Sequence, residues 1–226
     1  MPRIARAVAP GIPHHVTQRG DRREPVFLAK ADYRRYLNLL KEYAGQHDLG
    51  IVAYCLMPNH VHLVVLPKGP ESLASVLKPV HARFAQYLSW IHKMTGRRWQ
   101  GRYFSCPMDN NHTKAAIRYV ETNPVRAGLA VRAEEYRWSS AAAHAGLRRD
   151  DVLSSDAHEY ADVEDWLAWL RECVDDATTS LLRRYTRTGR PLGDDAFVAS
   201  IEHKTGRTLR PKPAGRPRNS PSGKGD

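Results

Sequence analysis

Long apolar runs are missing from this 226-residue chain. No stretch approaches the ~18 consecutive apolar residues of a membrane-spanning helix, so no membrane is expected among its partners. Residues 1–16 carry charge and proline without an apolar run, which does not read as a secretory signal. Cysteine is scarce: Cys55, Cys106 and Cys173 lie far apart and form no C-x-x-C pair. That argues against a disulfide framework or a Cys-rich zinc site, and a reducing cytoplasm is the expected location. Acid is short as well, with 24 Asp+Glu against 35 Lys+Arg and a net charge of +11. The 42% of hydrophobic residues is enough for a core and excludes a wholly disordered chain.

The charge is unevenly placed. Residues 1–149 carry a net +13, residues 150–176 a net −9 and residues 177–226 a net +7. A basic body, an acidic connector and a basic tail point to a polyanion, with nucleic acid the leading candidate and ordinary solubility charge the plainer reading. We divide the chain into a folded domain over 1–149, an acidic helical connector over 150–182 and a basic tail over 183–226. The Pro-, Gly- and Ser-rich composition after about residue 210 predicts disorder there.

Residues 14–19 read as a short strand closed by a Gly20-Asp21 turn. Apolar spacing predicts a helix over about 31–46. The β-rich runs 51–57 and 60–66, split by Pro58-Asn59, predict a hairpin. A second helix is expected over about 73–94, with Pro79 kinking or dividing it. Residues 99–108 suggest another extended segment, and a short helix over about 113–122 should stop at Asn123-Pro124. Trp138-Ser139-Ser140 opens a helical turn, Trp166 to Leu170 a sticky acidic helix, and 195–204 a short tail helix. Strands interleaved with helices, with tight antiparallel signals, give an α+β domain: an antiparallel sheet with helices packed on it.

His60 and His62 alternate along a predicted strand, so both imidazoles share one face and could hold one metal ion. Satisfied structural histidines fit the same spacing. Val64 and Leu66 make that face otherwise apolar, so the two rings need partners, and a metal is one. Tyr119 and Asn123 lie one helical turn apart on a common face. Periodicity alone does not separate a core tyrosine from a reactive one, nor a helix C-cap Asn from a ligand.

Met57-Pro58-Asn59-His60-Val61-His62-Leu63-Val64, followed by Tyr119-Val120-Glu121-Thr122-Asn123-Pro124-Val125-Arg126-Ala127-Gly128-Leu129, resembles the single-tyrosine HUH transposases of the IS200/IS605 group. The match is closer to their REP-associated tyrosine transposase branch. Trp99 to Phe104, Trp138-Ser139-Ser140 and the Gly-Arg-Pro elements at 189–191 and 215–217 resemble that branch too. The resemblance spans roughly 10–145 and, more loosely, 185–218.

That resemblance implies a ferredoxin-like HUH core and a metal-dependent endonuclease and transposase that cuts and rejoins single-stranded DNA beside REP-like hairpins. It implies Tyr119 as the nucleophile forming a 5′-phosphotyrosine, and His60, His62 and Asn123 as ligands of Mg²⁺ or Mn²⁺. Arg118 and Arg126 are candidates to favour the phenolate. Arg19, Arg22, Arg23, Arg83, Arg97, Arg98 and Arg102 are candidate phosphate contacts, with Trp99, Tyr103 and Phe104 stacking on unpaired bases, or Trp99 and Phe104 filling the core. Arg190 and Arg216 of the Gly-Arg-Pro elements are expected either in a minor groove or in a solvated tail. A monomer is favoured over a dimer. Two alternatives stand beside this reading: a non-catalytic sequence-specific DNA-binding protein, and an HUH replication initiator. A further expectation is that the acidic 150–176 segment competes with DNA for the basic body, docked through Trp166 and Trp169.

Overall fold

A computed structural model describes residues 6–93, 95–160, 163–172 and 174–210. Its centre is a four-stranded antiparallel sheet in the order β2-β3-β1-β4, with β1 His14–Arg19, β2 Leu49–Met57, β3 His60–Pro67 and β4 Phe104–Pro107. The Pro58-Asn59 turn joins β2 to β3 as expected. Register places Thr17 opposite His62 and Arg19 opposite His60, so side chains from both central strands project from one face.

Each face of the sheet buries its own core. Val16, Tyr54, Leu56, Val61, Leu63 and Val65 pack under α1 (Lys30–Gln46) and α2 (Ser72–Ile91). On the other side Val64, Leu66, Cys55, Met57 and Cys106 pack against α3 (Asn110–Glu121), α6 (Trp166–Arg171) and α7 (Asp176–Thr188). Each aliphatic side chain so buried contributes about 1.5–3 kcal/mol. The extra residue in the β2–β3 ladder falls between Ile51 and Ala53; Ile51 and Tyr54 keep to one core while Val52 and Ala53 join the other. Pro79 does not divide α2, which runs as one helix and ends at Ile91.

Some expectations are corrected in detail. Of residues 99–108 only Phe104–Pro107 form a strand, because Trp99 turns into the α1–α2 core and meets the sheet through an isolated bridge to Gly20. The helix carrying Tyr119 stops before Asn123-Pro124 as expected, although it starts earlier: α3 ends at Glu121, and Asn123 opens a separate turn, α4 (Asn123–Arg126), with Pro124 in its first turn where no amide is needed. The first Gly-Arg-Pro element is a folded turn. Gly189 caps α7 with φ +75°, and the Leu192 amide donates to the Pro107 carbonyl at 2.9 Å. Helix α8 (Asp195–Thr205) then packs Ile201 with Leu209 against Ala7 and Ala9. Arg216 and the segment expected to be disordered after about 210 lie outside the described residues.

The acidic segment is docked on the back of α3. Trp166 is buried, and its Nε1 donates to Glu121 Oε2 at 2.9 Å. Trp169 lies under the Arg118 guanidinium at 4.2 Å, which also meets Glu172 at 3.0 Å. Turn α5 (Ala141–His144) completes this layer, with Ser140 Oγ and His144 Nδ1 both bonded to Glu121 Oε1. No described helix is long and apolar enough to cross a membrane.

Candidate nucleic-acid cleavage site

A cleft of about 870 Å³ opens on the α3 side of the sheet, and His60, His62, Tyr119 and Asn123 all line it. Strand alternation delivers His15, Thr17 and Arg19 from β1 and His60 and His62 from β3 to the same face. Helix α3 brings Tyr119 across them. Its ring stands edge-on to His62 at 5.4 Å and to His15 at 5.8 Å, with the Arg126 guanidinium over it at 4.5 Å.

Both candidate metal-binding rings have one nitrogen already engaged. His60 Nδ1 donates to Asn59 Oδ1 at 2.6 Å, and the Asn59 amide donates in turn to the Arg23 carbonyl. Gly20 makes this loop possible: its amide donates to the Asn59 carbonyl, and a Cβ there would overlap the Glu24 carbonyl oxygen. His62 Nδ1 meets His15 Nε2 at 3.0 Å, and His15 Nδ1 meets Thr186 Oγ1 at 2.7 Å. Two assignments satisfy the chain, and the one in which His62 Nδ1–H donates to His15, whose Nδ1–H donates to Thr186, leaves the lone pair of His62 Nε2 free. Among the described residues no hydrogen bond takes up Nε2 of either His60 or His62.

Burial, followed by the charges of Arg19 and Arg183, lowers His60 to about 4. Burial likewise lowers His15 to about 4 and holds His62 well below its ordinary value, with His60 and His15 adding to the effect. The rings are therefore neutral at pH 7, each with one unprotonated nitrogen. Asn123 donates its Nδ2–H to the Tyr119 carbonyl at 3.2 Å, which leaves its Oδ1 available. Two neutral imidazoles and an amide oxygen, without thiolate, fit a hard to borderline divalent cation such as Mg²⁺ or Mn²⁺.

Arg19 and Arg23 of the expected phosphate contacts line this cleft, as does Arg126, and among the described residues no carboxylate does. Arg22 is exposed on the neighbouring turn, Arg97 is exposed, and Arg98 folds back on the Thr95 and Gly96 carbonyls. Arg83 reaches toward the Tyr43 ring on the opposite side of the sheet. Arg190 is half-buried in the turn after α7. Arg118 is corrected: it faces Trp169 and Glu172 on the outer side of α3, away from the cleft. Trp99 and Tyr103 are also corrected as exposed stacking platforms. They are only 8% and 7% accessible in the α1–α2 core, and with Arg102 they wall a separate cavity. Phe104 is the aromatic of that segment in the tyrosine cleft.

Sequence reasoning missed the contribution of α7. Arg183, Thr186 and Arg187 line the cleft, and Arg183 Nε donates to the Tyr119 hydroxyl at 3.3 Å. It also missed His15, although the β1 alternation that places Arg19 on this face places His15 there as well. Residues 150–176 contribute nothing to the lining, so among the described residues the acidic segment does not cover the cleft.

The family model for IS200-like transposases matches residues 10–123. No curated protein matches the chain. Among solved structures, a REP-associated tyrosine transposase bound to a REP hairpin matches with a TM-score of 0.56 and 19% identity over 70% of this chain and 93% of that one, a likeness of fold. A putative transposase from Deinococcus radiodurans R1 aligns with a TM-score of 0.38 and 22% identity over 52% of this chain and 94% of that one.

Proposed function

The chain belongs to the family of IS200-like transposases, and from that premise we propose that it is a metal-dependent endonuclease and strand transferase for single-stranded DNA. Its substrate is DNA beside a REP-like hairpin, the ligand of the structural neighbour. The observation that carries this reading is the meeting of the Tyr119 hydroxyl with His60, His62 and five arginines in one cleft that no carboxylate among the described residues lines.

The arginines draw a phosphodiester into the cleft and hold its non-bridging oxygens. Tyr119 Oη attacks phosphorus in line. The phenol gives up its proton to solvent, the bond to the 3′ oxygen breaks, that oxygen takes a proton from solvent and leaves as a 3′-OH, and the phosphate remains on Tyr119 as a 5′-phosphotyrosine. Arg183, at the attacking oxygen, and Arg126, over the ring, offset negative charge as the bond forms. Attack by a 3′-OH on the phosphotyrosine reverses the exchange, so rejoining requires no external energy source. A divalent ion held by His60, His62 and Asn123 supplies Lewis-acid stabilisation of the phosphoryl oxygens when bound.

Tyr119 is only 2% accessible, which favours one other reading, a DNA-binding protein that does not cut. A labelled hairpin oligonucleotide with single-stranded flanks separates the two. Cleavage predicts a covalent adduct with the wild-type chain in Mg²⁺ or Mn²⁺, lost in Tyr119→Phe while binding persists. Binding without adducts in either metal would establish the non-cutting reading.

A further inference from the structure

We propose that a second cavity, across the sheet edge from Tyr119, takes one unpaired nucleobase of the DNA strand held in the cleft. This rests on the DNA reading above. The cavity measures about 360 Å³, at the small end of the ~300–1,000 Å³ typical of ligand sites. Trp99, Tyr103 and His81 wall it together with Ala82 and Ala85 of α2, and Arg6, Lys78 and Arg102 bring three cations to the lining. Among the described residues no acid lines it.

Its walls are set before any ligand arrives. Trp99 Nε1 donates to the His81 carbonyl at 3.0 Å, and His81 Nε2 is bonded to the Tyr36 hydroxyl at 3.0 Å. Gln18 Nε2 donates to the Gly101 carbonyl at 2.8 Å, and Arg6 stacks on Tyr103 at 3.7 Å. With these polar atoms engaged inside the protein, the cavity presents mainly ring surfaces and methyl groups. Such a surface holds a flat ring by stacking without reading its edge, so any base is accepted and purines are held better. The cations suit the phosphates on either side of that base.

Position ties the two sites together. Gln100 and Phe104 line the tyrosine cleft, whereas Trp99, Gly101, Arg102 and Tyr103 line the second cavity. Residues 99–103 lead into β4, the edge strand that begins at Phe104, and this segment supplies residues to both linings. A single strand crossing this segment reaches both. The cationic lining and the neighbouring polyanion cleft favour a nucleic-acid base over a free neutral aromatic molecule.

The test uses the full chain and hairpins carrying 2-aminopurine, a fluorescent base quenched by stacking, at successive flank positions. Quenching at one position in the wild type, lost in Ala82→Leu, is expected. Ala82 is exposed on α2, so the larger side chain fills the cavity without entering the core. The same variant should bind flanked hairpins about tenfold more weakly and blunt hairpins equally well. Uniform fluorescence, or equal loss for flanked and blunt hairpins, overturns the proposal. So does quenching that appears only after residues 1–5 are deleted, which would make that segment the occupant. Tyr119 adducts are scored in parallel: adducts without quenching overturn the cavity alone, and quenching without adducts overturns cleavage alone.

Discussion

Arg183 and Tyr119 are 64 positions apart in sequence, yet the guanidinium Nε lies 3.3 Å from the phenol oxygen. Helix α7 supplies this contact from beyond residues 10–123, the part of the chain that matches the family. A donor aimed at an oxygen whose charge changes during attack assists most in the transition state. Arg183→Ala should therefore slow adduct formation about 10- to 100-fold at saturating DNA, measured in single-turnover assays. A faster variant would make Arg183 a cover over the nucleophile instead.

In the proposed metal site, His15 acts through His62. In the tautomer with its Nε2 accepting from His62 Nδ1 and its Nδ1 held by Thr186, it orients the ring and directs the free lone pair of His62 into the cleft. Losing such an outer partner typically costs 10–100-fold in metal affinity. His15→Ala should weaken Mn²⁺ binding by about that factor in a titration followed by electron paramagnetic resonance. Thr186→Val should weaken it less, since it removes only the far end of the chain. Equal Mn²⁺ affinity in all three proteins would show that His62 needs no such support.

Local pattern carried the parts of this molecule that local pattern can carry. The limits of β1 and the turn at Pro58-Asn59 follow from alternation and turn chemistry, and the helices over 31–46 and 195–204 from periodicity and capping. The common face of His60 and His62 follows from a strand period of two. The residues from α7 were not legible because His15 and Thr186 meet across 171 positions, a separation that no periodicity encodes. Arg118 was misplaced because a helix face is legible while the element that will cover it is not. Trp166 and Trp169 stood out as apolar residues in an acidic run, but their partners Glu121 and Arg118 became visible only in the fold.

Those contacts change what removal of the acidic segment should do. Glu121 is fully buried and accepts from Ser140 at 2.5 Å, His144 at 2.6 Å and Trp166 at 2.9 Å. Taking away one partner of such a network leaves the others desolvated and unpaired. Glu121→Ala should cost about 3–5 kcal/mol in urea unfolding. A chain ending at residue 149 loses Trp166, Leu170 and Leu182 from the second core, so it should melt earlier and show no gain in DNA cleavage. Faster cleavage with unchanged melting would instead support competition between the acids and DNA.

Acid sensitivity should arise from buried neutral histidines rather than from ion pairs. Burial lowers His14 to about 4 and His81 to about 3, against an ordinary value of 6.5. Between 6.5 and these values the unfolded chain takes up protons that the folded chain refuses, so stability falls as pH falls. Each group contributes a slope of about 1.4 kcal/mol per pH unit within its window, and the loss levels off below the folded value. Melting temperature measured from pH 7 to pH 4 should decline accordingly. His81→Gln retains a polar group for the Tyr36 hydroxyl and carries no titrating ring, so its decline should be shallower by one proton's worth. Parallel curves for the variant and the wild type would mean that His81 accepts its proton in the folded state, and that burial among Tyr36, Trp99 and Tyr103 does not keep it neutral.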